Sequence, residues 1–283
     1  MRAKPVLRNI GFYIGLILLC LFAVFPALWM VITAFKQNGD LYDPQNNPFL
    51  FNLPPTLSHI AFLFEQTNYP IFLWNSFFIG VIVVAITLVL AVPAAYSLAR
   101  LMGRWGERSS IAIFLVYLIP PTLLFIPLYE IVTILGAANT VWSLILVYPT
   151  ITVPFCTWLL LSFFRSIPRE VEEAALTDGW SRVGVFFRVA LPLAVPGITT
   201  CIVFAFALSL SDYIYAAVFV SNTASRTVSA GVPTELIRGD IYYWQALMAA
   251  TAIVGIPLAI VYGLLFDWLV KGFQVELPRA TRV

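Results

Sequence analysis

The sequence predicts an all-α polytopic membrane protein with six transmembrane helices, cytoplasmic N- and C-termini, and a pair of short cytoplasmic helices between helices 4 and 5. Three observations predict it. Of 283 residues, 61% are hydrophobic and only 11% charged, whereas a soluble domain carries about a quarter charged residues; too few charges remain to build a water-facing surface. Charge-free apolar runs of the length needed to cross a bilayer recur six times, and they are continuously apolar rather than alternating, which argues against a β-barrel. The basic residues also fall unevenly between the loops, 13 on one side of the predicted spans and 3 on the other.

The N-terminal segment 1–9 carries Arg2, Lys4 and Arg8 ahead of the first run, Ile10–Phe35. A signal-peptide core is about 7–15 residues, so this longer run reads as an uncleaved first helix. The remaining spans fall near Phe72–Ala99, Ser110–Tyr129, Trp142–Phe164, Leu193–Val220 and Gln245–Val270, within a core covering residues 72–270. With the N-terminus inside, Arg100, Arg104, Arg108, Arg165, Arg169, Arg182, Arg188, Lys271, Arg279 and Arg282 share its side. Only Lys36, Arg226 and Arg238 lie opposite. The positive-inside bias then puts both termini and the tail 271–283 in the cytoplasm, consistent with an even number of spans.

Outside lies the segment 36–71, rich in Asn and Pro and holding the single histidine, His59. It reads either as a contact for an extracytoplasmic partner or as a short interfacial helix with a linker. Tyr242, Tyr243 and Trp244 in the last outer loop mark the bilayer interface. Prolines recur within the spans (Pro93, Pro120, Pro121, Pro127, Pro149, Pro154, Pro196, Pro257). Each removes a backbone donor, and such breaks are tolerated in lipid where neighbouring helices or a wet cavity satisfy the freed carbonyls. Their density favours a bundle with an internal path. The three cysteines lie in apolar runs without metal-ligand spacing and read as core residues.

The charges that remain concentrate between spans 4 and 5, where Glu170, Glu172 and Glu173 mix with Arg165, Arg169, Arg182 and Arg188. Pro168 presets a first helical turn, and the acids sit near its positive end. That helix is expected to run through Ala174 and Ala175 and to stop at Asp178-Gly179. Ser181 is placed to cap a second helix, Arg182–Val189, which ends before Pro192. Two short angled helices make a knob suited to a groove on a partner.

Glu173-Ala174-Ala175, Gly179, Val189 and Leu191-Pro192 have the spacing of the EAA loop, and the loop at 165–192 resembles that of bacterial ABC importer permeases. The family pattern has isoleucine where Val189 stands. Pro26-Ala27-Leu28-Trp29-Met30 with Lys36, Asn75-Ser76, Ala94 to Arg100, Pro120-Pro121, Leu135-Gly136 and Met248-Ala249-Ala250 extend the likeness over nearly the whole chain. It is similar to the carbohydrate-uptake branch, relatives of the smaller maltose permease subunit. The resemblance implies a non-enzymatic permease subunit of a bacterial cytoplasmic (inner) membrane importer. Its implied partners are a second related permease, two ATP-binding cassette subunits and an extracytoplasmic solute-binding protein; the bilayer surrounds it and nucleic acid has no role. It assigns Glu172, Glu173, Ala174, Ala175, Asp178, Gly179, Arg182, Leu191 and Pro192 to ATPase coupling. ATP and Mg belong to the partner, and none of the lysines here (Lys4, Lys36, Lys271) ends a GxxxxGK[ST] loop. The solute is left open: di- or oligosaccharide, polyol, glycoside, or a non-sugar such as glycerol phosphate.

Asp212 is the acid most clearly within a span, and a carboxylate in lipid usually faces a cavity or a partner. Ser209, Asp212, Tyr213 and Ala216 recur at helical spacing. That stripe of hydroxyl, carboxylate and ring is a candidate sugar path, to which Asn75 is added; an acid bonded to a partner helix at the permease interface is the alternative. Relatives commonly carry Trp-Asn where Leu210-Ser211 stand. Glu130 and Asn139 are further candidates for the outer gate. The sequence assigns no catalytic and no metal-binding residue, since an intramembrane enzyme needs paired acids, a zinc motif or an activated nucleophile. A self-sufficient carrier or channel explains the spans but leaves the charged knob without a purpose.

Overall fold

The computed structural model describes residues 3–273 and is mostly helical. In chain order the helices are α1 (Ala3–Phe35), α2 (Asn38–Leu41), α3 (Ser58–Gln66), α4 (Tyr69–Tyr96), α5 (Gly103–Tyr117), α6 (Pro121–Ile134), α7 (Val141–Val147), α8 (Pro149–Ser166), α9 (Arg169–Thr177), α10 (Arg182–Val185), α11 (Leu191–Leu193), α12 (Val195–Ser211), α13 (Ile214–Phe219), α14 (Val228–Leu236) and α15 (Trp244–Phe273). Strands β1 (Ile237–Arg238) and β2 (Ile241–Tyr242) pair antiparallel between α14 and α15. Among the described residues, the helical stretches Gly11–Phe35, Tyr69–Leu101, Val141–Ser166 and Trp244–Phe266 are each long and apolar enough to cross a membrane. Two further bent pairs qualify if each counts as one span: α5 with α6, bent by 91°, and Arg182–Leu193 with α12, bent by 72°. Residues 274–283 of the tail expected at 271–283 lie outside the described residues.

Two departures from the predicted spans have local causes. The third predicted span is interrupted at Leu118–Pro120, because the residue before a proline is driven out of the helical region; Pro120 has φ −56°, ψ 123°. The fifth, Leu193–Val220, breaks at Asp212, whose ψ of 124° ends α12. Asp212 turns its side chain onto the next segment's backbone and starts α13 instead, competing with helix continuation as short acids do.

Residues up to Pro70 together with Val232–Pro257 form one compact unit. Its centre is a polar knot at the end of α1. The Lys36 ammonium, 1% exposed, donates to Asp40 Oδ1 at 3.2 Å and to the Asn47 carbonyl at 3.0 Å. Asp40 also accepts from Asn52 Nδ2 at 2.7 Å and from the Asn52 amide at 3.1 Å. A buried charge pair is tolerated only when its remaining donors and acceptors are also satisfied, and the Asn-rich loop supplies them. His59 on α3 closes the knot with Nε2 at 3.1 Å from the Lys36 carbonyl. The segment 36–71 is therefore a folded loop carrying the short helices α2 and α3.

Two groups in the knot titrate in the same sense. Burial holds His59 below its ordinary value, against the raising effect of its bond to the Lys36 carbonyl. For Asp40, burial raises the carboxyl, but bonds from Asn52, Lys36 and Leu53 outweigh it and the net shift is downward. Both contributions to stability are therefore fully present above the unfolded values, near 6.5 and 3.8, and are lost as pH falls through the folded ones. Between pH 8 and pH 5 only His59 changes charge. Protection of the amides across residues 36–66, after correction for the slower base-catalysed intrinsic exchange at lower pH, is expected to weaken as pH falls from about 7.5 to 5.5, and His59→Gln should flatten that dependence. An unchanged slope in the variant would remove His59 from the account.

Ile71–Gly231, with residues from Leu258 onward, forms the second unit. One apolar cluster joins α4, α6, α7 and α13 through Ile79, Val83, Val132, Leu144, Tyr148, Tyr215 and Phe219. Another joins α4, α8 and α12 through Ala91, Ala95, Tyr96, Cys156, Leu160, Phe164 and Cys201. Close approach of helices in lipid relies on small residues and hydroxyl bonds. Accordingly Thr87 and Thr152 share a buried bond of 2.6 Å, and Gly197 lies so near the Phe163 ring that a Cβ there would stand 2.6 Å from it.

Candidate coupling site and translocation pathway

The knob between α8 and α12 is built from its ends inward. Pro168 precedes α9, and Glu170 and Glu172 occupy its first turn. At the other end Gly179 adopts φ 92°, which costs an L side chain free energy and glycine none. There the Gly179 amide donates to Leu176 O at 3.1 Å and the Trp180 amide to Ala175 O at 3.1 Å, satisfying carbonyls that the helix end leaves open. Ser181 Oγ accepts from the Gly184 amide at 3.1 Å, the cap expected of it. The predicted helix Arg182–Val189 is instead α10 followed by a wide π-type turn at Phe186–Ala190. Pro192 offers no N–H to continue the ordinary ladder and its ring crowds the carbonyl four residues back, so the chain widens there.

The acids of the knob divide by role. Glu173 and Asp178 are exposed, as are Ala174, Arg182 and Pro192. Ala175 is half-buried, and Leu191 packs against the second apolar cluster. Glu172, expected with the outward-facing coupling residues, turns inward and is 7% exposed. Its Oε1 accepts from Arg100 Nε at 2.7 Å and its Oε2 from the Tyr96 hydroxyl at 3.0 Å. A guanidinium nitrogen of Arg100 also donates to the Ile167 carbonyl at 2.6 Å. The Tyr96 ring packs against Phe164 and Phe186, with centroids 5.4 and 4.8 Å away. Thus one arginine at the end of α4 ties down both the entrance of α9 and its first turn. Sequence reasoning had placed Tyr96 and Arg100 only at the end of a span; a lone arginine closing an apolar run was the available signal. Outside this clamp, Val171, Leu176, Trp180, Val183 and Phe187 leave apolar surface exposed, and the Arg188 guanidinium lies 5.0 Å over the Trp180 ring.

The expected pathway stripe is not one helical face. The break at Asp212 separates Ser209 on α12 from Ala216 on α13. Ser209 is buried and its hydroxyl donates to Ala205 O at 2.8 Å, while Tyr213 is 54% exposed. Asp212 Oδ2 accepts from the Tyr215 amide at 3.0 Å, the Ala216 amide at 3.2 Å and the Tyr148 hydroxyl at 3.1 Å. The half-buried carboxylate therefore caps α13 and ties it to α8's entrance, with all three bonds on one oxygen. Asn75 is also a fastener: its amide donates to the Ala224 and Arg226 carbonyls, each at 2.9 Å. Asn139, at φ 61°, accepts on Oδ1 from the Ser221 and Asn222 amides at 2.8 and 2.7 Å, whereas Glu130 is exposed.

A bundle of apolar helices with proline breaks, carrying a charged knob clamped to one span, has the form of a transport permease driven from outside itself. Residues 87–275 match the family described as binding-protein-dependent transport system inner membrane component, and the chain belongs to that family. It is 33% identical to the inner membrane ABC transporter permease protein YcjP of Escherichia coli (strain K12), over 92% of this chain and 93% of that protein. It is 34% identical to the sulfoquinovosyl glycerol transport system permease protein SmoH of Agrobacterium fabrum, over 92% and 90%. A solved bacterial ABC transporter involved in import of the acidic polysaccharide alginate shares the fold with a TM-score of 0.80 at 18% identity, covering 94% of this chain and 98% of that one. The protein is a permease subunit of an ABC importer, a multi-pass membrane protein.

Proposed function

We propose that the chain forms half of the translocation pathway of a carbohydrate importer in the bacterial cytoplasmic membrane, with six spans and with both termini and the loop 165–192 facing the cytoplasm. A second related permease supplies the other half. Two ATP-binding cassette subunits, which hold the ATP and Mg, seat against the knob, and an extracytoplasmic binding protein delivers the solute. Carbohydrate is favoured because a similar permease is named for sulfoquinovosyl glycerol transport. The observation that carries the coupling role is the clamp itself: a surface knob bearing exposed apolar side chains is fastened at 2.7 Å to the end of a spanning helix. Closure of the ATPase dimer then biases a two-state bundle through that contact. Glu173, Ala174, Ala175, Asp178, Gly179, Arg182, Leu191 and Pro192 form the contacting surface and its turns, with Glu172 as the anchor. Asp212, with Tyr213 beside it, borders the pathway; Ser209 and Asn75 hold its walls.

The test is uptake and ATP hydrolysis by the four-subunit importer in proteoliposomes. Omission of this chain should abolish uptake, and the chain alone should neither transport nor hydrolyse ATP. Gly179→Val is the informative variant. No atom lies within 4 Å of a Cβ at that position, so its cost is backbone strain of ~1–3 kcal/mol and not a clash. The turn should re-form with α10 displaced, leaving insertion intact while uptake falls about tenfold and hydrolysis continues, a tenfold loss corresponding to ~1.4 kcal/mol. Normal uptake by Gly179→Val would reject the coupling role of that turn.

A further inference from the structure

The loop between α2 and α3 turns its polar groups inward and its apolar ones outward. Phe49, Leu50, Phe51 and Leu53 are all exposed, Leu50 at 62%. The backbone beneath them is bonded within the first unit. The Asn47 amide donates to Asn52 Oδ1 at 3.3 Å and the Phe49 amide to Asn47 Oδ1 at 2.8 Å. Asp40 Oδ2 receives the amides of Asn52 at 3.1 Å and Leu53 at 3.4 Å, and Phe35 O that of Thr56 at 2.9 Å. Carbonyls are answered too. Asn47 O accepts from Lys36 Nζ and Asn52 Nδ2, each at 3.0 Å, and Pro54 O from Gln37 Nε2 at 2.8 Å. Pro48, Pro54 and Pro55 have no amide to satisfy. A loop in water needs no such provision, because water meets open backbone groups and disfavours a cluster of exposed phenyl and isobutyl side chains. In lipid both requirements reverse.

The position of the loop along α1 points the same way. The Phe49 ring packs on Trp29 and Phe25, with centroids 5.6 and 6.1 Å away. Those residues stand six and ten positions before Phe35, the last of α1. At about 1.5 Å per residue, the Phe49 ring lies roughly 9–15 Å back along the helix from its end. Gly11–Phe35 is long and apolar enough to span, and its apolar stretch is unburied by the rest of the chain. The loop therefore folds back from Lys36 alongside a lipid-facing helix. A soluble partner approaching from the aqueous side meets the end of α1 before it reaches that depth.

We propose that Phe49–Leu53 is a wedge seated in the bilayer, among the ester groups and upper acyl chains of the leaflet at the end of α1. That leaflet is the outer one on the orientation proposed above. Trp29, beneath the Phe49 ring, stands where interfacial tryptophans gather. The wedge fixes how deep α1 sits and joins the bilayer to the Lys36–Asp40 knot, since Asn47 and Asn52 serve both.

Nitroxide labels at Leu50→Cys and Phe51→Cys test it, in the complete importer in phosphatidylcholine nanodiscs with the other subunits free of cysteine. Cys20→Ala is the background, because Cys20 is exposed whereas Cys156 and Cys201 are buried. A label at Asp43→Cys, an exposed position, gives the aqueous reference, since a carboxylate keeps to water. Oxygen, which concentrates in lipid, should relax the labels at 50 and 51 about threefold more than a water-soluble nickel chelate does, with the order reversed at 43. Adding Phe49→Asp should bring the label at 51 to the order seen at 43, because a carboxylate beside Phe25 and Trp29 draws the tip out of lipid. Labels at 50 and 51 reached by nickel as readily as that at 43 would put the tip in water. Labels shielded from both relaxants would put it under the second permease. Either result overturns the wedge. With the oxygen preference intact, protection of Asp43→Cys from an impermeant maleimide in right-side-out vesicles would overturn the orientation and leave the wedge in the other leaflet.

Discussion

Replacing Arg100 with methionine is expected to uncouple the importer, with uptake falling at least tenfold while the complex still assembles and hydrolyses ATP. Arg100 and Glu172 side chains are only 8% and 9% exposed. Removing one member of such a pair leaves a buried charge without its partner, typically at ~3–5 kcal/mol. Glu172 keeps only the Tyr96 hydroxyl at 3.0 Å, and the Ile167 carbonyl loses its 2.6 Å donor. The carboxylate then leaves the site, and α9 is no longer fixed to α4. Changing both members, Arg100→Met with Glu172→Leu, should recover most of the stability, because a well-packed apolar pair often replaces a buried ion pair at little cost. Arg100→Lys should fall between: its ammonium reaches Glu172 but cannot also present a planar fork to Ile167. Uptake and hydrolysis measured together on the same vesicles decide the matter, and native coupling in Arg100→Met would show that the clamp transmits nothing.

How much of this was legible beforehand depends on whether local chemistry or distant packing decided the outcome. The apolar runs, the stop at Asp178-Gly179 and the Ser181 cap are local, and the structure has them where residue chemistry puts them. Glu172 was indistinguishable in sequence from Glu170 and Glu173, since only the approach of Arg100 from 72 residues away turns it inward. The knot around Lys36 was hidden likewise, because its anchors are asparagines in a loop without periodicity. Helical spacing misled at Ser209 to Ala216, where it assumed continuity through a residue that caps a new helix more readily than it extends the old one.

Asp212→Ala should be the most damaging change along the pathway, and Asp212→Asn separates its two roles. Alanine removes the acceptor for two backbone amides of α13, a cap worth ~1 kcal/mol. It also strands the hydroxyl of Tyr148, a residue 0% exposed, at a further ~1–3 kcal/mol. Adding Tyr148→Phe to the alanine variant should return part of that second loss, since the stranded hydroxyl goes with it. Asparagine caps a helix about as well as aspartate, so Asp212→Asn should melt close to the native protein. Its amide, however, must turn its one oxygen toward Tyr215, Ala216 and Tyr148, and so presents N–H donors where the carboxylate offers a second acceptor. A sugar hydroxyl donating to that oxygen would lose its partner, a charge-assisted bond worth ~1.5–3 kcal/mol, or about a 10- to 100-fold loss in uptake at low solute concentration. Thermal unfolding and uptake are therefore expected to part company in the asparagine variant and to fall together in the alanine one. Native uptake by Asp212→Asn would reduce the carboxylate to a helix cap and leave the path to other side chains.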